Sequence, residues 1–364
     1  MKILLVGEYS NVHWTLAQGL RALGHEVCVI SNGDFWKNYP RDIDVSRKAG
    51  KLGGIALMAK IYTLLPKLKG YDVVQLINPM FFELKAERLF WLYRYLRKHN
   101  KRVFLGAYGM DYYWVNECTV NKPLRYSDFN IGNQVRTNDD ALKEQRDWLG
   151  TPKERLNKLI ANDCDGIITG LYEYDVCYRP HFPEKTQFIP FPIQSIHQTP
   201  LTEVHRPLRI FIGISKQRSA YKGTDIMLKA AEDIVRNYPS SVCLQKAEGI
   251  PFEEYQKMMD DSDVILDQLY SYTPAMNALL AMSKGIVVVG GGEPENYEII
   301  NESELRPIIN VEPTYESVYH ELEQLILHPE RVPELKQHSI DYIRKHHDHI
   351  KVAQQYEKFY LKTT

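Results

Sequence analysis

Residues Ile212–Ala230, IGISKQRSAYKGTDIMLKA, carry the side chains whose types and spacing point most directly to chemistry. The stretch reads as a strand, a basic loop and the start of an amphipathic helix. Arg218 and Lys222 stand four residues apart, beside Gly223, where that helix begins. Two cations at a helix N-terminus suit a diphosphate. Arg grips phosphate bidentately and Lys acts as a point charge. With backbone N–H groups they would neutralise a departing diphosphate without reorganisation. Taken alone, the loop reads equally as solvated basic surface, but its place after a buried strand favours a ligand.

A second strand–loop–helix unit ends in GIVVVGGGEPENYEII. Val264–Asp267 reads as a strand, Gln268–Pro274 as an aromatic-rich loop and Ala275–Lys284 as a helix closed by Gly285. After the strand Ile286–Val289 come Gly290, Gly291 and Gly292, which let backbone amides approach a ligand closely; a tight turn uses the same residues. Glu295 and Glu298 follow Pro294, and a carboxylate there would accept from sugar or ribose hydroxyls. The pair of units suggests a nucleotide-sugar site. The G-x-G-x-x-G dinucleotide fingerprint is absent here and after the first strand, which argues against a dehydrogenase.

Three further places could do chemistry. The loop Gly7–His13 lies between the first strand and a helix, and its Glu8, Tyr9 and His13 would face an acceptor hydroxyl. A lone histidine is also often structural. Asp111, in GAYGMDYYW, follows another buried strand and is similarly placed. The basic, aromatic stretch Glu83–Arg102, with Lys67 and Lys69 nearby, fits either an anionic leaflet or an ordinary packed helix with a basic outer face.

The elements that must position these residues alternate. Strands are expected at Lys2–Val6, Glu26–Ile30, Val73–Ile77, Val103–Ala107 and Gly166–Thr169, with helices at Trp14–Leu23, Ile55–Leu68 and Glu83–Lys98. Short continuous apolar strands separated by helices signal a doubly wound parallel sheet, with ligand loops at the carboxyl ends. Val115–Lys153 breaks the rhythm and reads as an irregular insertion on the acceptor side. The proline-flanked stretch Pro190–Pro207 marks a boundary. The α/β alternation then resumes at Leu208–Gly213 and Thr224–Asn237, and Ser317–Tyr360 is mostly helical.

The chain has 364 residues, 44% hydrophobic and 25% charged, so two domains are expected. Lys+Arg 45 against Asp+Glu 46 gives a net charge of −1, which excludes global steering to nucleic acid. Five widely spaced cysteines without C-x-x-C fit a reducing, cytoplasmic compartment rather than a disulfide framework or zinc site. The opening KILLVGEYS reads as a buried strand, not a signal peptide, and no stretch approaches the ~20 apolar residues of a membrane span. The 24 tyrosines suit carbohydrate-facing surface and half-buried packing alike. Asp42/Asp44 and Asp163/Asp165 form Asp-x-Asp pairs, but neither adjoins the basic loop, so no metal is expected.

On these motifs the chain resembles the GT-B glycosyltransferases, specifically the retaining family 4 type, over nearly its whole length. MKILLVGEYS with LAQGLRALGHEVCVIS resembles the family's opening strand–helix–strand, and CDGIITGLYEY with FIPFPI its domain-closing segment. GISKQRSAYKGTD is similar to the diphosphate loop, with Arg218 and Lys222 in the Arg and Lys places. NALLAMSKGIVVVGGGEPE resembles the donor helix and glycine loop, with Glu295 at its end. Tyr272 and Leu280 occupy the places of the family's Glu-x7-Glu, and Tyr108 that of its histidine; Asp267 and Asn277 lie nearby as replacements.

The resemblance implies two Rossmann-like domains facing a central cleft, at 1–192 and 205–345, and a helix at 346–364 crossing back to the first. It implies transfer from a nucleoside-diphosphate sugar to a glycan or glycolipid, with retention, in polysaccharide or glycoconjugate assembly. Arg218, Lys222, Gly291 and Gly292 would hold the diphosphate, and Asp267, Asn277 and Glu295 the sugar or ribose. Glu8 and Tyr9 would face the acceptor, His13 and Asp111 would be catalytic, and neither metal nor cofactor would be needed. A peripheral contact with the inner face of the membrane belongs to the same expectation. Two other readings stand beside it: a sugar-nucleotide epimerase of the same shape, and an inactive binding subunit suggested by the lost Glu-x7-Glu.

Overall fold

Continuous apolar runs in the sequence become the inner strands of two parallel sheets. The computed structural model describes residues 1–194, 203–214 and 222–362. The chain divides into two compact units, one of Met1–Asn121, Glu144–Pro192 and His349–Thr364, the other of Lys122–Lys143 and Ile193–Asp348.

In unit 1 the strands are β1 (Lys2–Val6), β2 (Glu26–Ser31), β3 (Ile43–Asp44), β4 (Val73–Leu76), β5 (Arg102–Ala107), β6 (Gly166–Thr169) and β7 (Thr186–Phe188). They lie in the order β3-β2-β1-β4-β5-β6-β7, all parallel. Ile3, Leu4, Leu5, Val103, Phe104 and Leu105 are fully buried, so adjacent side chains pointing to opposite faces are both covered, as βαβ crossovers require. Helices α1 (Val12–Ala22), α2 (Gly50–Leu64) and α3 (Ala86–His99) make early crossovers. The last helix, His349–Lys362, also belongs to this unit. It packs so close to α1 that a Cβ on Gly19 would stand 2.2 Å from the His349 carbonyl oxygen.

Unit 2 holds β8 (Leu208–Ile214), β9 (Val242–Glu248), β10 (Val264–Leu266) and β11 (Val287–Val289), parallel in the order β9-β8-β10-β11. Successive connections leave β8 in opposite directions, so the carboxyl ends of β8 and β10 form a topological switch point, where such sheets take ligands. A buried ion pair ties the sheet to its flanking helix: Lys336 Nζ donates to Asp263 Oδ1 at 2.7 Å. Burial pushes the Asp263 carboxyl up, but Lys336 and the backbone N–H groups of Arg209 and His205 hold it below its usual range.

The Val115–Lys153 stretch, expected to be irregular, contains the helix Asp139–Trp148 and the ends of two others, Tyr112–Thr119 and Pro152–Asp163. Between them lies a two-stranded hairpin, Asn130–Ile131 with Gln134–Val135. In Asp139–Trp148 only Ala141 and Trp148 are buried, too few apolar residues to make a helical period visible. Residues 122–143 form part of unit 2.

Replacing Lys336 by Ala should lower stability by about 3–5 kcal/mol, because it leaves a buried carboxylate without its cation. Urea unfolding measures this, and a loss below 1 kcal/mol would contradict the burial of the pair.

Candidate functional site

The two units treat the first helix after their central strand differently. In unit 1, β1 ends at Val6 and the chain turns through Gly7 into α1. The buried Glu8 carboxylate accepts from the amides of His13 at 3.1 Å and Trp14 at 2.9 Å. The amide end of α1 is therefore already occupied by an acidic side chain. Burial pushes the Glu8 carboxyl up to about 8, against the opposing amides. Tyr9 lies partly buried, and a Cβ on Gly109 would stand 2.9 Å from its ring.

His13 and Asp111, expected to touch an acceptor, are both fully buried. His13 Nδ1 lies 2.8 Å from the Gly7 carbonyl oxygen and so must donate to it. Nε2 then accepts from the Gln75 amide at 3.1 Å. Gln75 also donates to the Tyr108 hydroxyl and accepts from Tyr360, and the Tyr108 and Tyr356 hydroxyls lie 2.6 Å apart. Burial drives His13 down to about 3, so it is neutral at pH 7. Asp111 accepts from the Trp114 amide at 2.9 Å and the Tyr178 hydroxyl at 2.7 Å, and burial raises it to about 7. Both side chains fasten helix starts and strand ends within unit 1.

In unit 2 the helix Thr224–Asn237 begins after Gly223. Gly223 has φ 72°, and a Cβ there would meet Leu269 at 2.6 Å, so glycine is required on both counts. Arg218 lies outside the described residues. The Lys222 carbonyl oxygen accepts from the Leu269 amide at 3.0 Å, which joins this helix start to the loop after β10. On that loop, part-exposed Asp267 accepts from the Asn277 amide at 3.2 Å, and the Tyr255 hydroxyl donates to Asn277 Oδ1 at 3.2 Å. Burial raises Asp267, while the Lys222 charge and Asn277 pull it back. Burial and then the charge of Asp267 push the Tyr255 phenol up to about 12. Lys222, Asp267 and Asn277 are thus brought together at the switch point. Tyr255, which no sequence signal singled out, completes them; a Cβ on Gly213 would fall 2.7 Å from its ring.

Two amides of the glycine run bond within unit 2. Gly290 N donates to Ile309 O at 2.9 Å and Gly292 N to Asn310 Oδ1 at 3.3 Å, because the chain at Ile309–Asn310 runs alongside β11. Gly290 (φ 106°) and Gly291 (φ 67°) instead let the turn press against the 267–274 loop. Glu295, expected at the sugar or ribose, is ion-paired with Arg125. Arg125 also donates to Glu293 at 2.8 Å, and its guanidinium lies 5.0 Å from the centre of the Tyr272 ring. The Tyr126 hydroxyl donates to Glu293, and its ring stacks on Tyr272 at 4.8 Å. Burial would raise Glu295, but the Arg125 hydrogen bond and charge hold it below its usual range. Segment 122–143 therefore clamps the glycine loop from the same unit.

Both Asp-x-Asp pairs are committed elsewhere. Asp42 binds Arg21 at 2.6 Å and Asp165 binds Arg97 at 2.7 Å. Among the described residues no group of three or more His, Cys, Asp or Glu is arranged to hold a metal ion.

Neither a protein-family model nor a curated protein matches the chain. Solved structures do. A sucrose-phosphate synthase from Thermosynechococcus elongatus is 13% identical, with a TM-score of 0.64 over 100% of this chain and 99% of its own. HepE of Anabaena, solved with UDP and glucose, is 11% identical, with a TM-score of 0.57 over 98% of each chain. A Listeria monocytogenes protein described as a UDP-N-acetylglucosamine 2-epimerase is 10% identical, with a TM-score of 0.52 over 97% of this chain and 94% of its own. At these identities the likeness establishes a fold: that of the GT-B glycosyltransferases, with two Rossmann-like domains.

Two outcomes follow from the site geometry. Folded His13 stays neutral where the unfolded residue, near its ordinary 6.5, is protonated, so this contribution is lost as pH falls from about 6.5 towards 3. The raised Glu8 acts oppositely: its contribution is present below 4.5 and lost as pH rises towards 8. Denaturation across pH should therefore show the acid-side slope flattened in His13→Gln and the alkaline-side slope flattened in Glu8→Gln; unchanged slopes would contradict the burial. For Arg125→Ala, amide hydrogen exchange should rise in both 122–135 and 290–299. A rise confined to the first segment would mean that Arg125 does not hold the glycine loop.

Proposed function

We propose that this chain is a glycosyltransferase that moves a sugar from a nucleoside-diphosphate sugar to a hydroxyl of a glycan or lipid-linked acceptor, with retention at the anomeric carbon. The observation that carries this reading is the meeting of Lys222 with Asp267 and Asn277 at the switch point. HepE, which shares the fold, was solved with UDP-glucose, and this supports the donor class.

In this reading Lys222 neutralises the charge that develops on the departing diphosphate, with Arg218 from the adjoining loop as its partner. Side-chain cations take the role that a metal ion plays elsewhere. Asp267 accepts from a ribose or sugar hydroxyl and Asn277 donates to it, with Tyr255 fixing the amide orientation. The Arg125–Glu295 pair sets the position of the glycine loop rather than gripping the sugar. His13 and Asp111 act as positioning residues for the unit 1 loops that would receive the acceptor.

The fold shared with the Listeria protein keeps an epimerase as a second reading, because epimerisation uses the same donor and needs no acceptor. Tyr272 and Leu280, in place of two carboxylates, keep a binding subunit without turnover as a third. Calorimetry with UDP, GDP and ADP tests the donor site. Lys222→Ala should weaken diphosphate binding by about 1–3 kcal/mol, the scale of a charge-assisted hydrogen bond. Asp267→Asn should leave binding of the bare nucleoside diphosphate less affected than binding of its sugar conjugate. Unchanged affinity in Lys222→Ala would overturn the site; epimer formed without acceptor, or binding without turnover, would replace the transferase reading.

A further inference from the structure

Segment 122–143 lays a second arginine on the loop after β10. Arg136 directly follows the hairpin Asn130–Ile131 with Gln134–Val135, which is tied down on both sides. The Asn130 side-chain amide donates to the Leu124 and Gly132 carbonyls, each at 2.9 Å, and Phe129 is fully buried. The Arg136 backbone amide donates to the Phe129 carbonyl at 2.7 Å, and its guanidinium donates to the Ser127 carbonyl at 3.2 Å. Backbone and side chain are therefore fixed in place, and a group already held loses less freedom when it meets a ligand.

The two arginines are placed differently. Arg125 faces Glu293 and Glu295, which neutralise it. Arg136 lies over the face of Tyr270, its guanidinium carbon 4.0 Å from the ring centre. The same ring reaches the turn after Lys222, where a Cβ on Gly223 would stand 2.9 Å from it. Next to Tyr270, the Leu269 amide donates to the Lys222 carbonyl at 3.0 Å. One aromatic ring thus stands between Arg136 and the turn at which Lys222 meets Asp267 and Asn277. Burial raises the Tyr270 phenol, Arg136 pulls it back, and Asp225 in the first turn of the following helix adds to the rise. The charge of Arg136 and a charge of that turn therefore act on one ring. A guanidinium over an aromatic face directs its edge N–H groups past the ring, and phosphate oxygens take such groups as a fork.

We propose that Arg136, with Tyr270 as its platform, is a third cation for the phosphates of a nucleoside diphosphate, beside Lys222 and Arg218. A terminal phosphate carries about −1.5 to −2 charges at pH 7 and the phosphate before it about one more, so two cations leave the pair under-neutralised. The inference rests on the donor-site reading and extends it: the segment expected on the acceptor side supplies a contact to the donor.

The test is calorimetry on the full chain with UDP, GDP and ADP, the tightest binder being compared with its own nucleoside. Arg136→Gln should weaken binding of the diphosphate about tenfold or more, and Arg136→Lys, which keeps the charge without the fork, about threefold. Affinity for the nucleoside should stay within about twofold in both variants, because the contact is to phosphate. A brace that only holds the hairpin would lower the melting temperature and weaken nucleoside and diphosphate alike, and that outcome would overturn the proposal. Unchanged diphosphate affinity in Arg136→Gln beside a weakened Lys222→Ala would overturn it too, with the donor-site reading left standing. No saturable binding by the unaltered chain, or full affinity in Lys222→Ala, would remove that reading and this inference with it.

Discussion

One buried carboxyl ties the first strand, turn and helix of unit 1 together. Glu8 accepts from the amides of His13 and Trp14 and fills the positive end of the first helix with an acidic side chain. In unit 2 the helix Thr224–Asn237 starts after Lys222 and Gly223, and the Lys222 charge acts on Asp267 across the switch point. A parallel sheet covered on both faces can present loops only at its ends. The meeting of Lys222, Asp267 and Asn277 at such an end therefore carries most of the functional reading.

The strands and most crossover helices were legible because buried parallel strands are short apolar runs bounded by glycine and polar turns. Thr224–Asn237 matches its expected bounds, and Met276–Ser283 lies one residue inside each end of the expected Ala275–Lys284. Asp267 directly follows the apolar run of β10, Lys222 lies in the stretch between β8 and its helix, and Asn277 lies in the first turn of the helix after β10. Segment 122–143 was not readable in this way. Arg125 and Tyr126 find partners more than 160 positions away, and no local pattern encodes a contact at that separation. The Glu295 partner was hidden for the same reason: nothing near a carboxylate after a glycine turn points to a guanidinium at position 125. His13 looked exposed because its loop follows a strand, but its spacing gives no hint of Gln75 on the neighbouring strand.

The tyrosines tell a related story. Abundant tyrosine suits sugar-binding surface, yet Tyr108, Tyr178, Tyr356 and Tyr360 are buried with partnered hydroxyls. They act as long struts that bury a ring and still satisfy a polar group inside unit 1. Their network links Gln75 on β4 and Tyr108 after β5 to the final helix, so the interior of this unit is specified by directional bonds as well as by packing.

Because the chain passes between the units after Asn121, Lys143, Pro192 and Asp348, the first unit is completed last. A ribosome that has released the strands of unit 1 has not yet made Tyr356 or Tyr360. Until the final helix emerges, Gln75 and Tyr108 lack their partners and α1 lacks the surface it packs against. Unit 2, whose sheet lies wholly within Ile193–Asp348, can assemble while unit 1 still waits, which makes the order of synthesis a constraint on how this molecule matures.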